Sequence, residues 1–188
     1  MYFSNMPNIL TTFRLFLVPC FIVSFYAPFI YSSIISLLIF LLAAVTDFMD
    51  GFLARRWNKT TNFGEFLDPL VDKVMVAVAL VLVCEYFHVY WVTIPSIIII
   101  SREIVISALR QLIFSIKGNI NVSKTLWISK TKTAMQMFSL TALIWHPNDI
   151  VINIGIIALY IAVILTLWSM ILYIRIFQCN LSRNNYFQ

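Results

Sequence analysis

Charge is what this chain has least of. Only 11% of its 188 residues are Asp, Glu, Lys or Arg, where a soluble domain carries about 25%. Glycine is scarce as well, with four residues, and there are three cysteines. The shortage of charge comes with 61% hydrophobic residues, which excludes a disordered chain. It also excludes an ordinary soluble enzyme, because too little polar surface remains to wet a globule. Cys20, Cys84 and Cys179 are scattered and none has a C-x-x-C partner. Each lies in or beside an apolar stretch, so each is expected to be a small core residue rather than half of a disulfide or a metal ligand.

What the chain has in abundance is apolar length. Its mean hydropathy is +0.91, which makes the bilayer its natural solvent. A membrane helix needs about 20 mostly apolar residues, and six such stretches occur, at roughly 8–28, 31–57, 63–87, 91–116, 124–145 and 150–177. Turn and polar residues punctuate them: Ala27-Pro28, Asn58 to Asn62, Glu85 to Trp91, Lys117 to Asn121, and His146 to Asp149. No repeat, linker or low-complexity segment stands out. The first run, Leu15 to Tyr26, has no Lys/Arg-rich leader and no small-x-small cleavage site, so no removable signal peptide is expected. The expectation is an all-α polytopic membrane protein, one membrane-embedded domain over residues 1–188.

The basic residues orient it. The net charge of +5 would suggest nucleic acid in a soluble protein, but here its distribution matters more, and no nucleic-acid partner is expected. If the loops alternate between two sides, one side collects Arg55, Arg56, Lys59, Lys117, Lys124 and Arg183. The three loops of the other side hold no Lys or Arg. The positive-inside rule then puts both termini in the cytoplasm. Trp57, Trp91 and Trp145 fall near span ends, as interfacial anchors do. His88 and His146 fall on the non-cytoplasmic side.

Acids do not belong in such spans, yet Asp47 and Asp50 lie in the second and Asp68 and Asp72 in the third. Each ionised Asp costs about 2.5–3.5 kcal/mol at a helix centre. Asp47 precedes Arg56 by nine residues, about 13 Å along a helix, so a water-filled cavity open to the cytosol is expected. Asp47, Asp50, Gly51 and Ala54 are spaced i, i+3, i+4 and i+7, one helix face. Gly64, Asp68 and Asp72 follow at i, i+4 and i+8. A short loop joins the two spans, so they are expected to be antiparallel neighbours whose acidic faces meet. Four carboxylates in one low-dielectric cavity repel each other, and divalent cations relieve that repulsion. Oxygen-only donors favour hard ions, Mg²⁺ or Mn²⁺. Two rival readings remain at this point: acids paired with Lys73 or Arg55, and an ion or proton path of a cation transporter.

Read without a gap, these residues form D-x2-D-G-x2-A-R-x8-G-x3-D-x3-D, from Asp47 through Asp50, Gly51, Ala54, Arg55, Gly64 and Asp68 to Asp72. This resembles the signature of the CDP-alcohol phosphotransferase family. The run Met6 to Arg14, the run Ser101 to Arg110, and Ser129 to Gln136 with its paired lysines resemble the family's bacterial branch that makes phosphatidylglycerol phosphate. Ser129 stands where that branch has Gly. The resemblance covers nearly the whole chain.

The resemblance implies six transmembrane helices and a homodimer in the bacterial inner membrane, with a two-metal active site facing the cytosol. The implied reaction joins CDP-diacylglycerol and sn-glycerol 3-phosphate to give phosphatidylglycerol phosphate and CMP. It implies Asp47, Asp50 and Asp68 as metal ligands and Asp72 as general base, with metal ligation by Asp72 left open. Gly51, Ala54, Arg55 and Gly64, with Asn8 and Thr11, are implied for the nucleotide. The acceptor's phosphate needs cations, and Arg102, Arg110, Lys130 and Lys132 are the available set; a guanidinium fork suits phosphate. Arg102 could instead pair internally with an acid, and the lysines could hold anionic lipid. Glu103 is expected to point away from Arg102 and to orient an arginine from another helix. Serine, inositol phosphate or an amino alcohol are the acceptors of sibling enzymes. The transporter alternative leaves the Gly and Ala positions and the x8 spacer without a reason.

Overall fold

The computed structural model describes the backbone of residues 6–57, 62–117 and 126–184, and the side chains of 12–46, 71, 73–108, 131–172, 174 and 175. These residues form six helices and no strand: α1 (Met6–Tyr26), α2 (Ser32–Trp57), α3 (Asn62–Phe87), α4 (Tyr90–Lys117), α5 (Leu126–Trp145) and α6 (Asp149–Asn184). The six apolar stretches and the helices agree to within two residues, apart from the later end of α6. Among the described residues, Tyr90–Ala108 and Asp149–Leu172 are long and apolar enough to cross a membrane, while Thr12–Tyr26 and Ser32–Thr46 are shorter apolar helices. The side chains before Thr12 in α1 and after Thr46 in α2 lie outside the described set.

The turns explain where the helices stop. α1 ends before Pro28, and a tight turn carries Phe29 N–H to the Ala27 carbonyl at 2.9 Å. α3 and α5 each end on a histidine in the left-handed region, His88 at φ 49° and His146 at φ 33°. That is the residue after a helix, where the chain reverses and glycine is the usual occupant. With four glycines in the whole chain, histidine fills the position twice. Each histidine thus follows directly on the helix it closes.

The chain divides into two compact units: Met1–Phe87 with Thr141–Ile152, and His88–Leu140 with Asn153–Gln188. In the first, α1 packs against α2 and α3. Phe21 and Phe40 are buried with ring centroids 6.1 Å apart. A polar stitch runs beside them: Ser24 Oγ donates to the Phe21 carbonyl at 2.9 Å and lies 2.9 Å from Ser36 Oγ. Ser24 has one proton and spends it on the carbonyl, so Ser36 donates to Ser24.

A second polar cluster closes the far end of this unit. Tyr26 Oη donates to Glu85 Oε2. The His146 ring lies 4.3 Å from Tyr86, centroid to centroid. Its Nδ1 is 2.8 Å from the Ile144 carbonyl, and its Nε2 is 3.3 Å from Ser33 Oγ. A carbonyl only accepts, so Nδ1 carries the proton and Nε2 accepts from Ser33. Histidine is thus both the turn residue and the bolt between α5 and α2.

In the second unit, Ser139 of α5 donates to the Gly155 carbonyl of α6 at 2.7 Å. Gly155 allows that approach because it has no side chain, the usual device where helices meet in lipid. Gly155, Ala158, Ala162, Thr166 and Ser169 are buried along one face of α6. The outward faces are apolar instead: Phe16, Val23, Ile97, Ile104, Ile164 and Trp168 are all more than half exposed. So broad an apolar exterior calls for a lipid surround.

One expectation about the cysteines needs correcting. Cys20 is exposed on α1 and Cys84 only half-buried, so neither is a core residue; the side chain of Cys179 lies outside the described set. Against lipid, an outward-facing thiol meets the same apolar medium that a core would provide.

Candidate active site

The acidic motif lies on α2 and α3, two helices of the same unit. Asp47, Asp50, Gly51, Ala54 and Arg55 belong to α2, and Gly64, Asp68 and Asp72 to α3. Both helices run without a break through the motif. The i, i+3, i+4, i+7 spacing on α2 and the i, i+4, i+8 spacing on α3 therefore put each set on one face. The side chains of these eight residues lie outside the described set. Asn8 and Thr11 on α1, Arg110 on α4 and Lys130 on α5 are likewise helical positions whose side chains lie outside it. Among the described residues no three His, Cys, Asp or Glu gather. The four aspartates supply oxygen donors only, a set suited to hard divalent cations. Thr46, just before Asp47, turns its hydroxyl back onto the Leu42 and Ala43 carbonyls at 2.9 and 2.8 Å. It is thereby committed to its own helix.

The second unit holds the described part of the cation set. Arg102 sits in α4 at 6% exposure and Lys132 in α5 at 2%. A charged side chain at such depth is costly without partners, and both have them. Glu103 Oε1 takes Arg102 Nη1 at 3.2 Å and also Lys132 Nζ. Arg102 Nη2 donates to Ser169 Oγ of α6. One carboxylate oxygen thus holds two cations from two helices, and a hydroxyl from a third fixes the other end of the guanidinium.

This corrects the expectation that Glu103 points away from Arg102. Adjacent helical residues point in different directions, but the long arms of Arg102 and Glu103 bend together once Lys132 arrives from α5. Among the described residues, Glu103 holds the arginine beside it and a lysine from another helix. The internal pairing considered for Arg102 is therefore present, with Arg102 and Lys132 gathered at one point. Ser107 Oγ donates to the Glu103 carbonyl, binding the next turn of α4.

Sequence reasoning missed Ser169. It lies in a long aliphatic span with no motif around it. The available signal was weak: Gly155, Ala158, Ala162, Thr166 and Ser169 recur at three- and four-residue steps, and the polar members come last. Arg14 is buried at 1% exposure in α1, so it is an interior residue of the first unit.

Comparison with known proteins follows the same lines. A sequence model of the family described as CDP-alcohol phosphatidyltransferase matches residues 4–168. A protein of Pectobacterium atrosepticum is 55% identical over 171 residues, covering 91% of this chain and 93% of its own length. One of Sodalis glossinidius is 54% identical over 170 residues, covering 90% and 93%. One of Blochmanniella floridana is 49% identical over 170 residues, covering 90% and 89%. All three are named CDP-diacylglycerol–glycerol-3-phosphate 3-phosphatidyltransferase.

Proposed function

We propose, from the premise that this chain belongs to the CDP-alcohol phosphatidyltransferase family, that it is a membrane phosphotransferase. It moves the phosphatidyl group of CDP-diacylglycerol onto sn-glycerol 3-phosphate, releasing CMP and forming phosphatidylglycerol phosphate. The observation that carries the reading is identity of about half over nine-tenths of the chain with enzymes named for that reaction. The motif on α2 and α3 supports it from the chemical side.

In this reading the acceptor's primary hydroxyl attacks the phosphorus of the phosphatidyl group. The new O–P bond forms as the bond to the CMP oxygen breaks. Asp72 takes the hydroxyl proton, for which it must come within hydrogen-bond reach. Asp47, Asp50 and Asp68 would hold two divalent cations, Mg²⁺ or Mn²⁺, with Asp72 beside them. The chemistry such ions supply is neutralisation of charge on the diphosphate and on the departing CMP. Gly51, Ala54, Arg55 and Gly64, with Asn8 and Thr11, line the nucleotide pocket, the small residues leaving space for the cytidine diphosphate. Arg102, Arg110, Lys130 and Lys132 receive the phosphate of the acceptor. Holding both substrates in line supplies much of the rate, since alignment dominates this reaction class.

The chain acts as one membrane-embedded catalytic domain over residues 1–188, with six spans in the bacterial inner membrane, both termini and the active site cytoplasmic, and a homodimer as the working form. The apolar exteriors and the one-sided basic residues support that placement.

The test is CMP release by the purified protein in detergent with CDP-diacylglycerol, Mn²⁺ or Mg²⁺, and a panel of acceptors. Release with sn-glycerol 3-phosphate and not with serine or inositol phosphate is expected. Equal release with those others would overturn the acceptor assignment.

A further inference from the structure

Ser169 lies outside every motif of the sequence, and it is nonetheless 2% exposed and bonded to a cation. The geometry around it is specific. Arg102 presents Nη1 to Glu103 and Nη2 to Ser169. Contacts at two different nitrogens, one from α4 and one from α6, fix both the position of the guanidinium and the tilt of its plane. The second contact adds a restraint on rotation of the plane about the first. An arginine side chain carries about 2 kcal/mol of rotamer entropy, which must be paid whenever it is ordered for binding. Lys132 Nζ shares the same Glu103 oxygen, so the spacing between the two cations is also set. Two cations brought together at a fixed distance and tilt match a phosphate group, whose oxygens accept from both.

The face of α6 that delivers Ser169 is otherwise apolar or small. Thr166, three residues earlier on that face, is fully buried, and its hydroxyl has no hydrogen-bond partner among the described residues. The two hydroxyls therefore differ: one is engaged with a cation and the other is not.

We propose that Ser169 is a positioning residue for the acceptor: it holds the Arg102 guanidinium, beside Lys132, in the orientation that receives the phosphate of sn-glycerol 3-phosphate. This rests on the transfer reaction proposed above. Ser169 acts through Arg102, so its effect falls on acceptor binding.

Steady-state CMP release by the full-length protein in micelles, varying each substrate in turn, tests this. Ser169→Ala removes the acceptor of a charge-assisted hydrogen bond and should raise KM for sn-glycerol 3-phosphate about tenfold. KM for CDP-diacylglycerol and kcat should stay within about twofold, the scatter expected of a substitution that spares the chemistry. Ser169→Thr keeps a hydroxyl and should restore the acceptor KM. Thr166→Val, which removes a buried hydroxyl from the same face, should leave all three constants alone. If the alanine variant cannot be purified, Ser169→Cys, nearly isosteric but a weak acceptor, is read in its place. An unchanged acceptor KM, a joint rise of both KM values, or a threonine variant as impaired as alanine would each overturn the proposal. A wild-type protein silent with sn-glycerol 3-phosphate overturns the transfer reading itself, and this inference with it.

Discussion

Removing the Glu103 carboxylate probes the shared ion contact among the described residues of the second unit. Glu103 Oε1 is shared by Arg102, 6% exposed, and Lys132, 2% exposed. Glu103→Gln keeps the shape and removes the charge, so two buried cations lose their common anion. A hydrogen bond to a charged group contributes about 1.5–3 kcal/mol, and breaking a buried ion pair from one side costs about 3–5 kcal/mol. Glu103 is itself 24% exposed, and water there screens part of the loss, which brings the expected cost to about 2–4 kcal/mol. Lys132→Met should cost less, because Glu103 keeps Arg102 as a partner. The double variant should cost less than the sum, with a coupling of about 1–3 kcal/mol between the two positions. Unfolding followed by circular dichroism in mixed micelles with rising SDS would give the four free energies of the cycle. A coupling below about 0.5 kcal/mol would show that the shared oxygen contributes nothing, and the reasoning about a fixed cation pair would fail.

Other consequences can be checked separately. Asp72→Asn should abolish CMP release while CDP-diacylglycerol still binds, as read by displacement of a labelled substrate; a variant that still turns over removes Asp72 as the base. Arg110→Ala should raise KM for sn-glycerol 3-phosphate with KM for CDP-diacylglycerol unchanged, and an unaltered acceptor KM would take Arg110 out of the site. His146→Ala loses the Ser33 hydrogen bond and the Tyr86 ring contact. About 1–2 kcal/mol of stability should go, with kcat unaffected, since the cluster is at the end of the unit opposite the motif; a large fall in kcat at normal stability would contradict that separation.

The helices were legible because two signals agreed. Apolar runs of membrane length supplied the interiors of α1 to α6, and Pro28, the Asn58–Asn62 cluster and the Pro147-Asn148 pair marked where each stops. The acidic faces of α2 and α3 were legible for another reason: helical spacing is arithmetic, and ionised residues in an apolar span have few explanations. The partners of Arg102 were not legible. Spacing rules describe where a side chain leaves the backbone, whereas Glu103 reaches its neighbour through two long flexible arms drawn to Lys132. Ser169 escaped because a lone serine in a membrane helix usually bonds its own backbone, as Ser96 does with the Val92 carbonyl at 2.7 Å. The exposure of Cys20 was misjudged because hydrophobicity in lipid no longer distinguishes inside from outside.

The proposed chemistry requires the aspartates of α2 and α3 to act together on bound dications. Titration of the purified protein with Mn²⁺, followed by electron paramagnetic resonance of the free ion, measures that directly. Wild type should take up about two Mn²⁺ per chain, and Asp47→Ala or Asp68→Ala should lose that uptake while remaining folded. Uptake unchanged in both variants, or none in the wild type with CDP-diacylglycerol present, would contradict it.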